Sequence, residues 1–176
     1  FVVGHFHIVM GMTAILGMFA GIYHWFPKMY GKAMNKRMGM VHFWITIICG
    51  YGVFLPMHFL GEGGLPRRYY ENTNFPMFDH FLDLNILISI FASVGVIAQV
   101  IFFFNFFYSI FRGPRSSQNP WNSNSLEWTT PVEHVHGNWI GEIPIVHRWP
   151  YDYSKPGKEK DFVPQNVPLD DNEEEH

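Results

Sequence analysis

Three stretches of this chain, residues 1–27, 38–61 and 84–111, contain no Asp, Glu, Lys or Arg. Each exceeds the roughly 20 residues that an α-helix needs to cross about 30 Å of hydrocarbon. A single stretch of this kind fits the buried helix of a soluble core, but three in succession read as membrane spans. Lipid permits only helices and closed barrels, because it offers no partner to an unpaired backbone amide. The expected fold is an all-α integral membrane protein with helices at about 1–27, 38–61 and 80–112, forming a transmembrane part over 1–112. An irregular polar tail is expected over 113–176.

Charge supports this division. Charged residues make up 15% of the chain, against roughly 25% in ordinary soluble domains. Residues 1–112 hold seven Lys/Arg and four Asp/Glu, and the remainder holds five and eleven, so an apolar body carries an acidic tail. Nothing in this pattern resembles a nucleic-acid footprint. The lone Cys49 lies in the second stretch without ligand-like neighbours and reads as a small core or lipid-facing residue. With no initiator Met, and Phe1 already inside an apolar run, the sequence reads as the C-terminal part of a longer chain.

Loop charges give the orientation. Lys28, Lys32, Lys36 and Arg37 occupy the first loop with no acidic residue, whereas the second mixes Arg67 and Arg68 with Glu62, Glu71, Asp79 and Asp83. The positive-inside rule places the first loop in the cytoplasm. The second loop is then outside, and the tail is cytoplasmic. Trp25-Phe26-Pro27 is expected to close the first helix, Pro56 to kink or break the second, and Gly113-Pro114 to end the third. The tail is punctuated by proline, shows no defensible periodicity, and is expected to run extended to a solvated acidic end at 170–176.

Chemistry concentrates at Gly4-His5-Phe6-His7. Histidines inside a membrane are costly unless satisfied and point to function. In an α-helix residues two apart project about 200° apart, so His5 and His7 are expected to serve two separate metal centres with Phe6 between them. Imidazole suits haem iron, copper or zinc, and haem fits best because each iron takes only one or two protein ligands. Arg67 and Arg68, on the same side of the membrane, suit the anionic propionates of such haems. Histidines 24, 42, 58, 80, 134, 136, 147 and 176 read as structural.

Taken in order, VVGHFHIV at 2–9, HWFP at 24–27, FLPMHFLG at 54–61 and LPRRY at 65–69 resemble the last three transmembrane helices of subunit I of the haem-copper cytochrome c oxidases, a twelve-helix bundle. Pro120-Trp121 and Leu126-Glu127-Trp128-Thr129 resemble the start of the cytoplasmic tail in bacterial members. The resemblance implies that His5 is the proximal, catalytic ligand of a high-spin haem iron and that His7 is an axial ligand of a low-spin haem. Phe6 would lie between the haems, and Arg67 and Arg68 would bind their propionates. Two haems, of a and a3 type, and a copper whose ligands lie outside this chain are the implied cofactors.

The implied activity is electron transfer from cytochrome c through the low-spin haem to a haem-copper centre that reduces dioxygen to water, coupled to proton pumping. The implied partners are the upstream part of subunit I, subunits II and III, cytochrome c and the lipid of a bacterial plasma (inner) membrane, with the mitochondrial inner membrane the lesser alternative. This stretch alone is not expected to reduce oxygen. Gly4 stands where the family commonly has Ala, and Met57 where it commonly has Gln. A quinol-fed oxidase is the nearest rival; Pro66 and the Leu-Glu-Trp tail favour the cytochrome c branch. Nitric oxide reductases share the His-x-His pair without a matching arginine loop. A non-catalytic haem-binding subunit is the reading from another class.

Overall fold

The structure, a computed structural model, describes residues 1–70, 75–131, 139, 141–153 and 163–168. Glu71, His134, His136, the residues from 154 to 162 and the acidic end at 169–176 lie outside the described residues. As expected, the fold is helical: among the described residues three helices, α1 (Val2–Tyr30), α2 (Lys36–Glu62) and the segment Pro76–Arg112, are long and apolar enough to span a membrane. Within the last, a 3-10 turn at Pro76–Phe81 leads into α3 (Leu82–Arg112). The described residues divide into two compact units, Phe1–His24 with Met34–Gly113 and Trp25–Ala33 with Pro114–His176.

The first two spanning helices, α1 and α2, are irregular. In α1 the residues His7–Met12 form a π-helical segment between the α-helical Val2–Phe6 and Thr13–Tyr30. Pro27 does not close this helix, which runs on to Tyr30. A proline that close to the end removes only one rung of the ladder, and Gly31, in the left-handed region at φ 65°, stops the helix by donating its N–H to Pro27 O at 2.8 Å. In α2, Asn35 caps the start by accepting from Met38 N at 3.1 Å. The break expected at Pro56 falls at Leu55, between Lys36–Phe54 and Pro56–Glu62. At the end of α2, Leu65 N reaches Leu60 O and Gly64 N reaches Gly61 O, with Gly64 at φ 86°, which is the Schellman arrangement.

In the first unit the helices meet through small residues, as membrane helices do when close packing and hydrogen bonds replace the aqueous hydrophobic drive. A Cβ on Gly52 would run into the Phe91 ring of α3, and one on Gly50 would meet the Met12 thioether of α1. Gly95 lies against Cys49, which is buried and thus a core residue.

Polar side chains pin these contacts. His42 is 2% exposed and Asn105 fully buried. The Gln99 amide donates to Gly95 O at 3.1 Å and to Thr46 Oγ1 at 3.2 Å, so its oxygen faces His42 Nε2 at 3.3 Å. His42 Nε2–H therefore donates, and Nδ1 accepts from the Tyr23 hydroxyl at 3.3 Å. Asn105 brackets a peptide group, accepting from Asn35 N at 3.0 Å and donating to Asn35 O at 3.1 Å. Tyr23, His42 and Gln99 thereby link all three helices.

In the second unit the end of α1, Trp25–Tyr30, is helical, and among the described residues after Gly113 the regular structure is a 3-10 turn at Leu126–Thr129 and an isolated bridge from Arg115 to Lys32. Two side-chain amides do the stitching. Asn124 donates to Asp152 O and accepts from Val163 N, while Gln165 accepts from Leu126 N and donates to Arg148 O, all at 3.0 to 3.1 Å. The Lys28 ammonium donates to Glu127 O and Thr130 Oγ1 and sits 5.7 Å from the centre of the Trp128 ring, which is 2% exposed. Trp25 Nε1 donates to the Glu127 carboxylate.

Candidate haem-ligand site

The site grows from the first turns of α1. His7 Nδ1 lies 2.8 Å from Val3 O, one turn back. A carbonyl only accepts, so Nδ1 carries the proton and the Nε2 lone pair is left for another partner. This is the arrangement that orients a metal-binding imidazole: one nitrogen fixed by a backbone oxygen, the other presented. The His7 ring is half-buried and stacks on Phe54 of α2, with centroids 5.0 Å apart and planes 19° apart.

The π segment explains how one helix delivers both this ring and Met12 to α2. In a regular α-helix residues five apart lie about 140° apart around the axis. An i→i+5 ladder brings them nearly into line. His7 then packs on Phe54 while Met12 packs at Gly50, and residues 50 and 54, four apart, share one face of α2.

Gly4 allows the close approach. A Cβ there would stand 2.8 Å from Phe54 O and 3.1 Å from His58 Nδ1. His5 is exposed, and its ring meets His58 edge-on at 6.4 Å. Among the described residues the His5 and His7 rings make no contact with each other: the first neighbours His58 and the second Phe54. Phe6, 49% exposed, sets its ring edge-on to His7 at 5.4 Å.

Arg67 and Arg68 follow the Schellman turn of α2 and are exposed, with Arg68 in the left-handed region at φ 62°. That conformation costs a non-glycine residue roughly 1–2 kcal/mol. Of the remaining histidines, His42 is consumed by its own hydrogen bonds and His58 donates Nδ1–H to Phe54 O at 3.0 Å. Phe54 escaped the sequence reading, since a lone aromatic in an apolar span carries no periodic signal. Among the described residues no three side chains of the His, Cys, Asp or Glu types converge on one point. The site instead offers single imidazoles, the donor set that haem iron takes from a protein.

Residues 1–94 match the family described as Cytochrome C and Quinol oxidase polypeptide I. The alternative cytochrome c oxidase subunit 1 of Bradyrhizobium diazoefficiens is 46% identical over 172 residues, covering 96% of this chain and 29% of that protein. Cytochrome c oxidase subunit 1 of Thermostichus vulcanus is 40% identical over 87% of this chain and 27% of its own length, and that of Synechocystis sp. 39% over the same shares. The chain thus spans less than a third of the length of these relatives. With the family match covering more than half of its residues and high identity along nearly all of it, the chain belongs to the subunit I family of the haem-copper cytochrome c and quinol oxidases.

Proposed function

We propose that this chain is the haem-ligating C-terminal part of the catalytic subunit of a terminal respiratory oxidase, fed by cytochrome c and coupled to proton pumping in a bacterial plasma membrane. The observation that carries the proposal is His7, whose Nδ1–H is held by Val3 O so that Nε2 is presented from within an apolar helix. In this reading Nε2 of His7 binds the low-spin haem iron, and His5, the exposed neighbour of His58, binds the high-spin iron. When bound, the haems and a copper held by residues outside this chain supply the redox chemistry that reduces dioxygen.

The chain's own residues orient and separate these groups. Phe6 lies between the two ligands in sequence and bears on His7, giving a short path between the haems. Arg67 and Arg68 neutralise propionates and, as positive charges, favour the reduced haems. The names of the relatives support cytochrome c as donor, although the family description covers quinol as well. The rest of subunit I and subunits II and III complete the assembly, and the loop charges support a cytoplasmic tail.

The test is to make His7→Ala and His5→Ala separately in the full oxidase and record optical spectra. Loss of the low-spin haem in the first variant and perturbation of the ligand-binding haem in the second are the expected results. If both substitutions act on one haem alone, the assignment is wrong.

A further inference from the structure

We infer that Phe54 and His58 are positioning residues that set the rotation of the His7 imidazole about its Nδ1 anchor; this rests on the reading of His7 as a low-spin haem ligand. A histidine ring tethered at one nitrogen keeps a residual freedom, since it can still swing about the axis through that hydrogen bond. Val3 O provides the tether at 2.8 Å but does not fix the plane. Phe54 does: its ring lies face to face with the imidazole, 5.0 Å between centroids and 19° between planes, so a swing of His7 runs into it.

What holds Phe54 is the break in α2. Pro56 has no N–H, and past it the ladder tightens, so that His58 N bonds Leu55 O at 3.1 Å. The His58 ring supplies a donor to Phe54 O instead, with Nδ1 at 3.0 Å, and Leu55 O is within reach at 3.3 Å. The side chain at 58 thus repairs the helix where the backbone cannot, and fixes the residue whose ring bears on His7. Gly4 completes the arrangement by letting α1 approach Phe54 O more closely than any side chain would permit. The chain of constraint runs from His58 through the Phe54 backbone and ring to His7.

An axial imidazole's plane, relative to the porphyrin nitrogens, governs its π overlap with a low-spin ferric iron and hence the anisotropy of the g tensor. Electron paramagnetic resonance of the oxidised low-spin haem, in the full purified oxidase, therefore reads the proposal directly. Phe54→Leu removes the flat face, His58→Leu removes the donor, and His58→Asn places an amide N–H near the position of Nδ1. Phe54→Leu and His58→Leu are expected to retain the low-spin haem while shifting or broadening its largest g value, and His58→Asn to restore the parental signal. Should Phe54→Leu fail to incorporate haem, the two His58 variants decide, because both keep the ring.

Parental g values in both Phe54→Leu and His58→Leu would overturn the proposal, as would a shift in His58→Leu that His58→Asn does not reverse. His7→Ala serves as the separate control. Persistence of the low-spin signal in that variant would overturn the ligand assignment itself, whatever the Phe54 and His58 variants show.

Discussion

His42 and His7 lie in adjacent helices, yet the hydrogen bonds around them assign opposite tasks. Both ring nitrogens of His42 are engaged, by Tyr23 and by Gln99, whereas among the described residues only Nδ1 of His7 is. A ring with no remaining lone pair cannot bind a metal without breaking its own contacts. His42→Leu is accordingly expected to leave haem content unchanged and to lower thermal stability. In a double-mutant cycle with Gln99→Leu, followed by thermal unfolding in detergent, the coupling should be about 0.6 kcal/mol and no more than about 1.7 kcal/mol, the mean and upper end for polar contacts between membrane helices. Zero coupling would show that the bond contributes nothing. Sequence spacing singled out His5 and His7 through their offset, but it could not separate His42 from His58. Their partners, Gln99 in one case and Phe54 O in the other, are set by tertiary packing and by the side effects of a proline.

For the helices, existence and order were legible from charge-free runs, and the break near Pro56 followed from the missing N–H. The π segment was not. Nothing in His7–Met12 marks it, because the surplus residue is stabilised by what α2 presents, Gly50 and Phe54, and not by any local propensity. Helix contacts depend on where side chains are absent, which makes glycine the residue to test. Gly52→Leu would drive a branched side chain into Phe91, and overpacking of that kind costs about 1–3 kcal/mol. Gly17, with nothing within 4 Å of an added Cβ, should accept alanine with no loss or with a gain of up to roughly 1 kcal/mol from helix propensity. Unfolding midpoints of the two variants, compared in the same detergent, check both expectations.

Across the whole molecule, composition separates an apolar body from a polar tail, but it carries no sign of the tail's internal order. Asn124 and Gln165 organise it through amide-to-backbone bonds that follow no sequence period. Nor did any pattern indicate that Trp25–Ala33, the end of α1 and the turn after it, would group with the tail residues in one compact unit. Lys28 has three partners in that unit, namely Glu127 O, Thr130 Oγ1 and the Trp128 face. Lys28→Ala is expected to weaken the turn at Leu126–Thr129 by about 1–3 kcal/mol, raising amide exchange there by roughly five- to 150-fold while haem absorbance stays unchanged. Exchange at parental rates would show that the ammonium only decorates the turn. In genetic terms, the π segment is equivalent to one surplus codon inside a helix that is held at both ends, by His7 on Phe54 and by Tyr23 on His42. Deleting one residue from it would restore a regular α-helix and keep the two ends facing as they do, because four α-helical residues turn about 40° past a full circle, whereas adding one residue in the α-helical stretch up to Tyr23 would turn one end about 100° against the other. The reading frame thus bears the loss of one codon at the π segment but not a one-codon change in the α-helical stretch that follows it.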